Sequence, residues 1–510
     1  MDQIATDHLS RLPESYWRTH PVPNFPQMTT DGETEVGIIG AGIVGVITAY
    51  LLAKAGKQVT LIEAREVLSG VTGHTTAKIT AQHGLIYDEL IQTFSKSHAK
   101  LYYDANIAGL RLIQGLVEEE GIDCDFETKD ATVYATTAKG ALQIKKEARA
   151  YRELGIKGVL TKDNLKDLPF ATNAALTMPN QAQFHPVKFL TPLLKEIIRL
   201  GGKVYEQTRA IKIKNSTTVQ IENGTTLQCE KVVVATHYPF NDFNGFYFAK
   251  LSISRSYALA AQVAGPIPDG MYISADSPTR SLRSIPSENG ERLLLIGGDS
   301  HPTGKSKTNT QQHYDNLANF GQKYFKVEDI PFHWSAQDMT TLDQVPYIGP
   351  MTGSSRDVLV ATGFHKWGMA AGACAAQLLV DLIVGELNRY ADLFDPTRGK
   401  FKLKDIQQFT VKNTVVGKDL LVTKAKRPDR VPDNLQLNEG GLVSVNGKKA
   451  GGYRDESGEV HLVKTTCTHM GCGLNWNDAE KSWDCPCHGS RFSYAGEVLN
   501  GPAVKPLEKL

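Results

Sequence analysis

Two short pairings of cysteine with histidine near the C-terminus, Cys467-Thr-His469-Met-Gly-Cys472 and Cys485-Pro-Cys487-His488, constrain this chain more than any other feature. Each pairing offers one thiolate and one imidazole, so two loops together present two of each. A [2Fe–2S] centre with one iron on two cysteines and the other on two histidines needs that donor set. Zinc competes, because Cys and His also hold Zn²⁺ tetrahedrally. Zinc ribbons, however, usually present paired-cysteine knuckles, and both pairs here are mixed. Cys467, His469, Cys485 and His488 are the expected ligands under the cluster reading.

A second cysteine accompanies each pair, Cys472 after the first and Cys487 within the second, and the run continues through Ser490 to Gly501-Pro502-Ala503. Together these residues resemble a Rieske domain. The resemblance implies a disulfide between Cys472 and Cys487, joining the cluster loops as in Rieske proteins of the cytochrome bc type. The other reading is two free thiols, which a cytosolic setting favours. Ser490 stands where high-potential members carry a serine that hydrogen-bonds a bridging sulfide, and Phe492 where they carry a tyrosine that donates to a ligand sulfur. Loss of that donor makes added negative charge harder to hold, so the expected potential lies below theirs. Gly501-Pro502-Ala503 resembles the family's proline loop, which covers the cluster.

At 510 residues the chain exceeds one compact domain. The expected division is an N-terminal extension over 1–30, an oxidoreductase unit over 31–390, a charged linker over 391–432 with some helix docked on that unit, and the cluster domain over 433–510. A formal net charge of +1 gives no argument for nucleic acid. No basic and apolar leader opens the chain, and no apolar run suggests a membrane span, so the cytoplasm is the expected compartment. Cys124, Cys229 and Cys374 are scattered and read as small buried apolar residues.

Near the other end, an apolar strand over 35–39 leads into Gly40-Ala41-Gly42-Ile43-Val44-Gly45, then helical spacing over 46–55 and a second strand over 58–62 ending in Glu63. Strand, glycine turn, helix, strand and acid in this order form a dinucleotide fingerprint. The glycines let the backbone approach a pyrophosphate, whose charge meets the helix N-terminus. Glu63 stands where a ribose-binding acid belongs.

The fingerprint alone does not separate FAD from NAD. Glu63-Ala64-Arg65 runs on to Gly73-His74-Thr75-Thr76-Ala77-Lys78, and later come His185-Pro186 before an amphipathic helix, the strand 231–236 ending at Thr236, and Gly363-Phe364-His365-Lys366-Trp367-Gly368 before an alanine-rich helix. In this order the segments resemble the D-amino-acid oxidase and glycine oxidase superfamily. The resemblance implies an α/β FAD-binding Rossmann-type domain with an inserted antiparallel-sheet substrate domain, followed here by the all-β Rieske domain. It implies FAD contacts from Gly40, Gly42, Gly45, Glu63, Ala64, Arg65, Gly73, His74, Thr75, Thr76, Ala77, Thr236, Gly363, Phe364, Trp367 and Gly368. Where the family usually has glycine after Thr236, this chain has His237.

The superfamily oxidises C–N bonds of amines and amino acids by hydride transfer to flavin N5. Expected substrate residues are Arg283, whose planar fork suits a carboxylate, with Tyr257, His365 and Lys366; a solvated surface role is the alternative for Arg283. Dimethylglycine and sarcosine dehydrogenases carry a similar histidine bonded to flavin, so His74 has a covalent reading beside the favoured hydrogen-bonding one. Lys78 reads as a support for its loop. No second glycine fingerprint marks an NAD(P)H domain, and no histidine pair has the spacing of a Rieske oxygenase iron site. The expectation is an amine dehydrogenase whose flavin passes electrons to the cluster and on to an unidentified external acceptor. A redox sensor or adaptor, or a reductase running the opposite way, are the alternatives.

Overall fold

Short β-branched runs such as Val36 to Ile39 and Val59–Ile62 are buried on both faces, which is how strands of a covered parallel sheet read. They belong to a sheet whose spatial order is Tyr347–Thr352, Ser355–Thr362, Thr226–Val234, Gly32–Ile39, Val59–Ile62 and Lys203–Tyr205. Neighbours along it run parallel except for the hairpin at the 347–362 edge. The computed structural model describes residues 9, 12–162, 164–215, 217–287, 290–306, 308–399, 428 and 430–510.

Helix Ile43–Lys54 is apolar nearly all round because it is covered by helices Gly368–Val384 and Pro186–Arg199 as well as by the sheet. Gly368–Val384 also crosses Lys96–Glu119 closely: a Cβ on Gly109 would lie 2.0 Å from the Ala370 carbonyl oxygen. Alanine and glycine in these helices therefore set the layer spacing.

A second sheet is inserted between the halves of the first. Its centre is Leu251–Val263, paired antiparallel with Arg292–Pro302 and Val327–Thr341. It continues through Arg280–Pro286, Met271–Ser274, Glu127–Ala135 and Ala174–Gln183. The expected antiparallel sheet carries one parallel neighbour pair, Met271–Ser274 with Glu127–Ala135.

The 1–30 extension is built into this unit where it is described. Trp17 is buried, its indole N–H donates to the Thr75 carbonyl at 2.7 Å, and Tyr16 donates to Pro286 O at 2.6 Å. Of the 391–432 linker, helix Ala391–Phe394 and Arg398 lie on the oxidoreductase unit, with Arg398 paired to Asp343 at 2.7 Å. Residues 400–427 and 429 of that linker lie outside the described residues.

The C-terminal unit is a pair of small antiparallel sheets, Gly440–Val445, Lys448–Arg454 and Val460–Val463, then Asn475–Asn477, Ser482–Asp484, Arg491–Ser493 and Val498–Asn500. No helix among the described residues is long and apolar enough to cross a membrane.

Candidate functional site: a flavin cavity walled by the cluster domain

The glycine turn after strand Gly32–Ile39 fits a bound pyrophosphate on steric grounds. Gly40 has φ +103°, and a Cβ there would lie 2.6 Å from Ala235 O; a Cβ on Gly45 would lie 1.9 Å from Gly40 O. Only glycine lets the turn and the helix close on each other. Gly40, Gly42 and Val44 border a long cavity, and the Glu63 carboxylate beside them accepts from Ala41 N at 3.0 Å and Arg65 N at 3.1 Å. Ala64 and Arg65 line the same end.

Toward the inserted sheet the cavity is bordered by His74, Thr75, Thr76, Lys78, Thr236 and the turn Phe364 to Gly368. Gly45, Gly73, Ala77 and Gly363 are among the expected cofactor residues but are not cavity lining; they shape the backbone behind it. Gly363 has φ +78° and Ala77 φ +53°, and a Cβ on Gly73 would meet Leu68 O at 2.4 Å. His74 Nδ1 pairs with Gly70 O at 2.9 Å, and burial pulls its pKa down to about 4, which keeps the ring neutral. His237 takes φ +63°, the left-handed conformation that explains the family's glycine, and its Nε2 pairs with Gln337 O at 2.7 Å.

Three of the four expected substrate residues meet in this cavity. His365 and Lys366 share a wall with Tyr257; Lys366 donates to Ser256 and lies 3.3 Å from Asp338. Tyr257 O–H points to His301 Nε2 at 2.9 Å, since His301 Nδ1 is engaged by Pro302 O. Arg283 stands apart. It is 1% exposed, covers Trp17, and gives its donors to the carbonyls of Thr76, Ala77, Phe184 and Ser284. Its fork braces the flavin segment and does not border the cavity. Lys78, read from the sequence as a loop support, bridges to Tyr272 O at 2.7 Å and Ser281 Oγ at 2.6 Å, and burial together with Arg283 pulls its pKa down to about 7.

The four expected cluster ligands converge between loops at the tip of the C-terminal unit. Cys467 and Cys485 are buried free thiols. The hydrogen bond between their sulfurs draws the Cys467 pKa below the usual thiol range and pushes Cys485 above it. His469 and His488 have ring centroids 5.1 Å apart, and the Nδ1 atom of each is buried with no hydrogen-bond partner. Buried ring nitrogens are ordinarily satisfied. Two orphaned Nδ1 atoms beside two free thiols fit a [2Fe–2S] cluster held by Nδ1 and Sγ. Cys472 and Cys487 form the expected disulfide, with Cα atoms 6.6 Å apart. Ser490 Oγ accepts from Ala503 N at 3.0 Å, closing the proline loop over the site, and Phe492 is fully buried behind it. Cys124, Cys229 and Cys374 are buried, and desolvation raises each pKa to about 12.

The cluster loops face the oxidoreductase unit. Leu499, Asn500, Gly501, Ala503 and Val504 line the flavin cavity itself. Gln337 Nε2 donates to Gly489 O at 2.9 Å, and Asn475 Nδ2 to Gly304 O at 2.8 Å. Gly304 and Gly489 admit this approach: a Cβ on the first would lie 2.8 Å from Pro486 N, and on the second 2.6 Å from an Ile253 methyl. Arg255 reaches across the joint to Glu480 at 3.7 Å, and Arg491, from the same unit as Glu480, flanks it at 3.5 Å. Burial opposes the Glu480 charge, but the two arginines outweigh it and hold its pKa below the usual range. Sequence reasoning missed this joint and the Trp17–Trp334 pair behind the flavin segment; their one local signal is that a buried indole N–H needs an acceptor, which Thr75 O and His74 O supply.

Residues 35–382 match the family of FAD dependent oxidoreductases, and residues 404–510 match the Rieske [2Fe-2S] domain. A candidate Rieske 2Fe-2S iron-sulfur protein of Bacillus subtilis (strain 168), YhfW, is 44% identical over 512 residues, covering 99% of each chain. Among solved structures, glycine oxidase from Geobacillus kaustophilus superposes with TM-score 0.59 at 21% identity, covering 72% of this chain and 99% of that one. An L-amino acid deaminase from Proteus vulgaris gives TM-score 0.59 at 15% identity, over 76% of this chain and 100% of that one.

Proposed function

Because the chain belongs to the FAD dependent oxidoreductase family and ends in a Rieske domain, we propose that it is an amine or amino-acid dehydrogenase whose electrons leave through the cluster. The observation that carries this reading is the shared wall: Leu499, Asn500, Gly501, Ala503 and Val504 border the flavin cavity, and Ala503 among them packs with Cys467 and Cys485 and is held by Ser490. Fusion fixes the electron acceptor at high effective concentration beside the donor, which favours transfer to the cluster over transfer to oxygen.

Bound FAD supplies a hydride acceptor, and the bound cluster a one-electron acceptor. The chain itself supplies the rest. Lys366, held by Asp338 and Ser256, offers a cationic anchor for a substrate carboxylate, with His365 and Tyr257 on the same wall. Hydride leaves readily from an uncharged amine, so a substrate ammonium must first lose a proton. Lys78, with its pKa pulled to about 7, is the wall residue able to hold that proton near neutral pH. Trp17 and Trp334 back the flavin segment and keep water from its far side. Water then hydrolyses the released imine.

The test uses purified holoprotein without oxygen and a panel of N-methylated amines and amino acids, following the flavin band and the cluster's electron paramagnetic resonance signal. Bleaching with appearance of the reduced-cluster signal is expected. Bleaching with a cluster that stays oxidised overturns the relay, and no bleaching by any amine overturns the substrate class.

A further inference from the structure

Between the flavin cavity and the cluster site runs one continuous line of hydrogen-bonded groups. Tyr238 borders the cavity and is 2% exposed. Its hydroxyl donates to Asp242 Oδ2 at 3.3 Å. The Asp242 carboxylate in turn lies 3.2 Å from His469 Nε2 through Oδ2 and 3.4 Å through Oδ1. Asp242 is wholly buried, and its main-chain carbonyl is tied to Tyr247 N at 2.9 Å. The other ring nitrogen of His469 is the orphaned Nδ1 that fits iron. The rings of Phe243 and Phe248 stand 5.7 and 5.8 Å from His469 and His488, closing the surround with apolar surface.

A carboxylate in an apolar setting costs free energy unless it is well paired. Asp242 comes from the oxidoreductase unit, yet its partner is a cluster ligand of the other unit. A carboxylate on the outer nitrogen of a ligand histidine fixes that ring's orientation and adds electron density to the metal. Tunnelling falls off faster across empty space than along bonds and hydrogen bonds. Tyr238, Asp242 and His469 replace a gap between the two sites with such a path.

The geometry points to Tyr238 and Asp242 as positioning residues that form the electron route from the flavin cavity to His469 and thus to the cluster. This rests on the relay reading above. The step moves one electron from reduced flavin to the oxidised cluster, one ferric ion becoming ferrous, with no bond made or broken. The second electron follows when an external one-electron acceptor has reoxidised the cluster, and the flavin N–H proton is then released to water.

The experiment photoreduces the flavin of the full-length holoprotein anaerobically with oxalate as the sacrificial electron donor, without any amine, and times cluster reduction by absorbance and electron paramagnetic resonance. Tyr238→Phe, Asp242→Asn and Asp242→Ala are compared with the parent, with flavin and iron content measured for each. Transfer is expected to slow by about tenfold in Tyr238→Phe and Asp242→Asn and by up to about a hundredfold in Asp242→Ala. The cluster's midpoint potential is expected to rise in both Asp242 variants, where the negative charge is gone. If Asp242→Ala fails to take up a cluster, the other two variants decide. Parental rates in Tyr238→Phe and Asp242→Asn with both cofactors loaded overturn the route. A parent protein whose photoreduced flavin never reduces the cluster overturns the relay reading itself, and a failed amine panel leaves this experiment untouched.

Discussion

The two cofactor sites of this molecule are built on opposite plans. The flavin cavity is made by leaving side chains out: Gly40 and Gly45 let backbone approach backbone, and the walls come from segments spread between residues 39 and 504. The cluster site is made by putting four side chains in, from two loops spanning 467–488, tied together by the Cys472–Cys487 disulfide. A site made of absences depends on shape and tolerates no added atom. A site made of donors depends on chemistry and tolerates no missing one.

The sharpest break between them is Cys485→Ser. It should abolish the cluster's electron paramagnetic resonance signal while the flavin band stays, since Cys485 does not border the flavin cavity; loss of both cofactors together would show that the sites are one folding unit. Next in size is Gly45→Ala, whose methyl would meet Gly40 O at 1.9 Å. Flavin retention should be lost, with destabilisation of about 1–3 kcal/mol, read by flavin content and thermal melting, while iron content holds. A smaller effect on cofactor content is expected from Cys472→Ser, which opens a crosslink of sequence separation 15. The C-terminal unit should lose about 3 kcal/mol, measured as earlier cluster bleaching on heating with little change at the flavin.

The smallest effect is a pH dependence that lies outside both sites. His185 caps helix Pro186–Arg199 by accepting from Lys188 N at 3.2 Å, and burial and then Lys188 lower its pKa to about 3. The unfolded chain takes up that proton below its ordinary pKa of 6.5, whereas the folded chain does not. Its stabilisation is therefore complete above pH 6.5 and falls as pH drops toward 3. At pH 5 the loss is about 2 kcal/mol. His185→Asn keeps a cap acceptor that does not titrate, so its melting temperature should fall less than the parent's between pH 7 and pH 5.

Legibility in the sequence followed the same division. Both fingerprints were readable because their parts sit within one or two dozen residues: the glycines with Glu63, and the two mixed pairs with their extra cysteines. The inserted domain followed from family resemblance more than from periodicity, and the order of strands in either sheet was not legible at all. What escaped were contacts between residues far apart in the chain whose types have many uses. Arg283 suited a carboxylate by its chemistry, but its donors are taken by four backbone carbonyls of the flavin segment and its neighbours. Nothing local marks Asp242 as the partner of His469, 227 positions away, or Trp17 as the floor beneath Thr75. Such roles belong to packing, and packing is decided by the whole fold.

The loop from Leu499 to Val504 belongs to two binding sites at once. Whatever ordering of that loop accompanies loading of one site need not be repeated when the other is filled. Reciprocity then requires that each group raise the affinity for the other by the same factor. Assembly of the holoprotein is in this sense cooperative: a variant that loses one group keeps the other, but holds it more weakly than the parent does. An electron donor without its outlet, or an outlet without its donor, is the species from which this shared loop lets the remaining group go more easily.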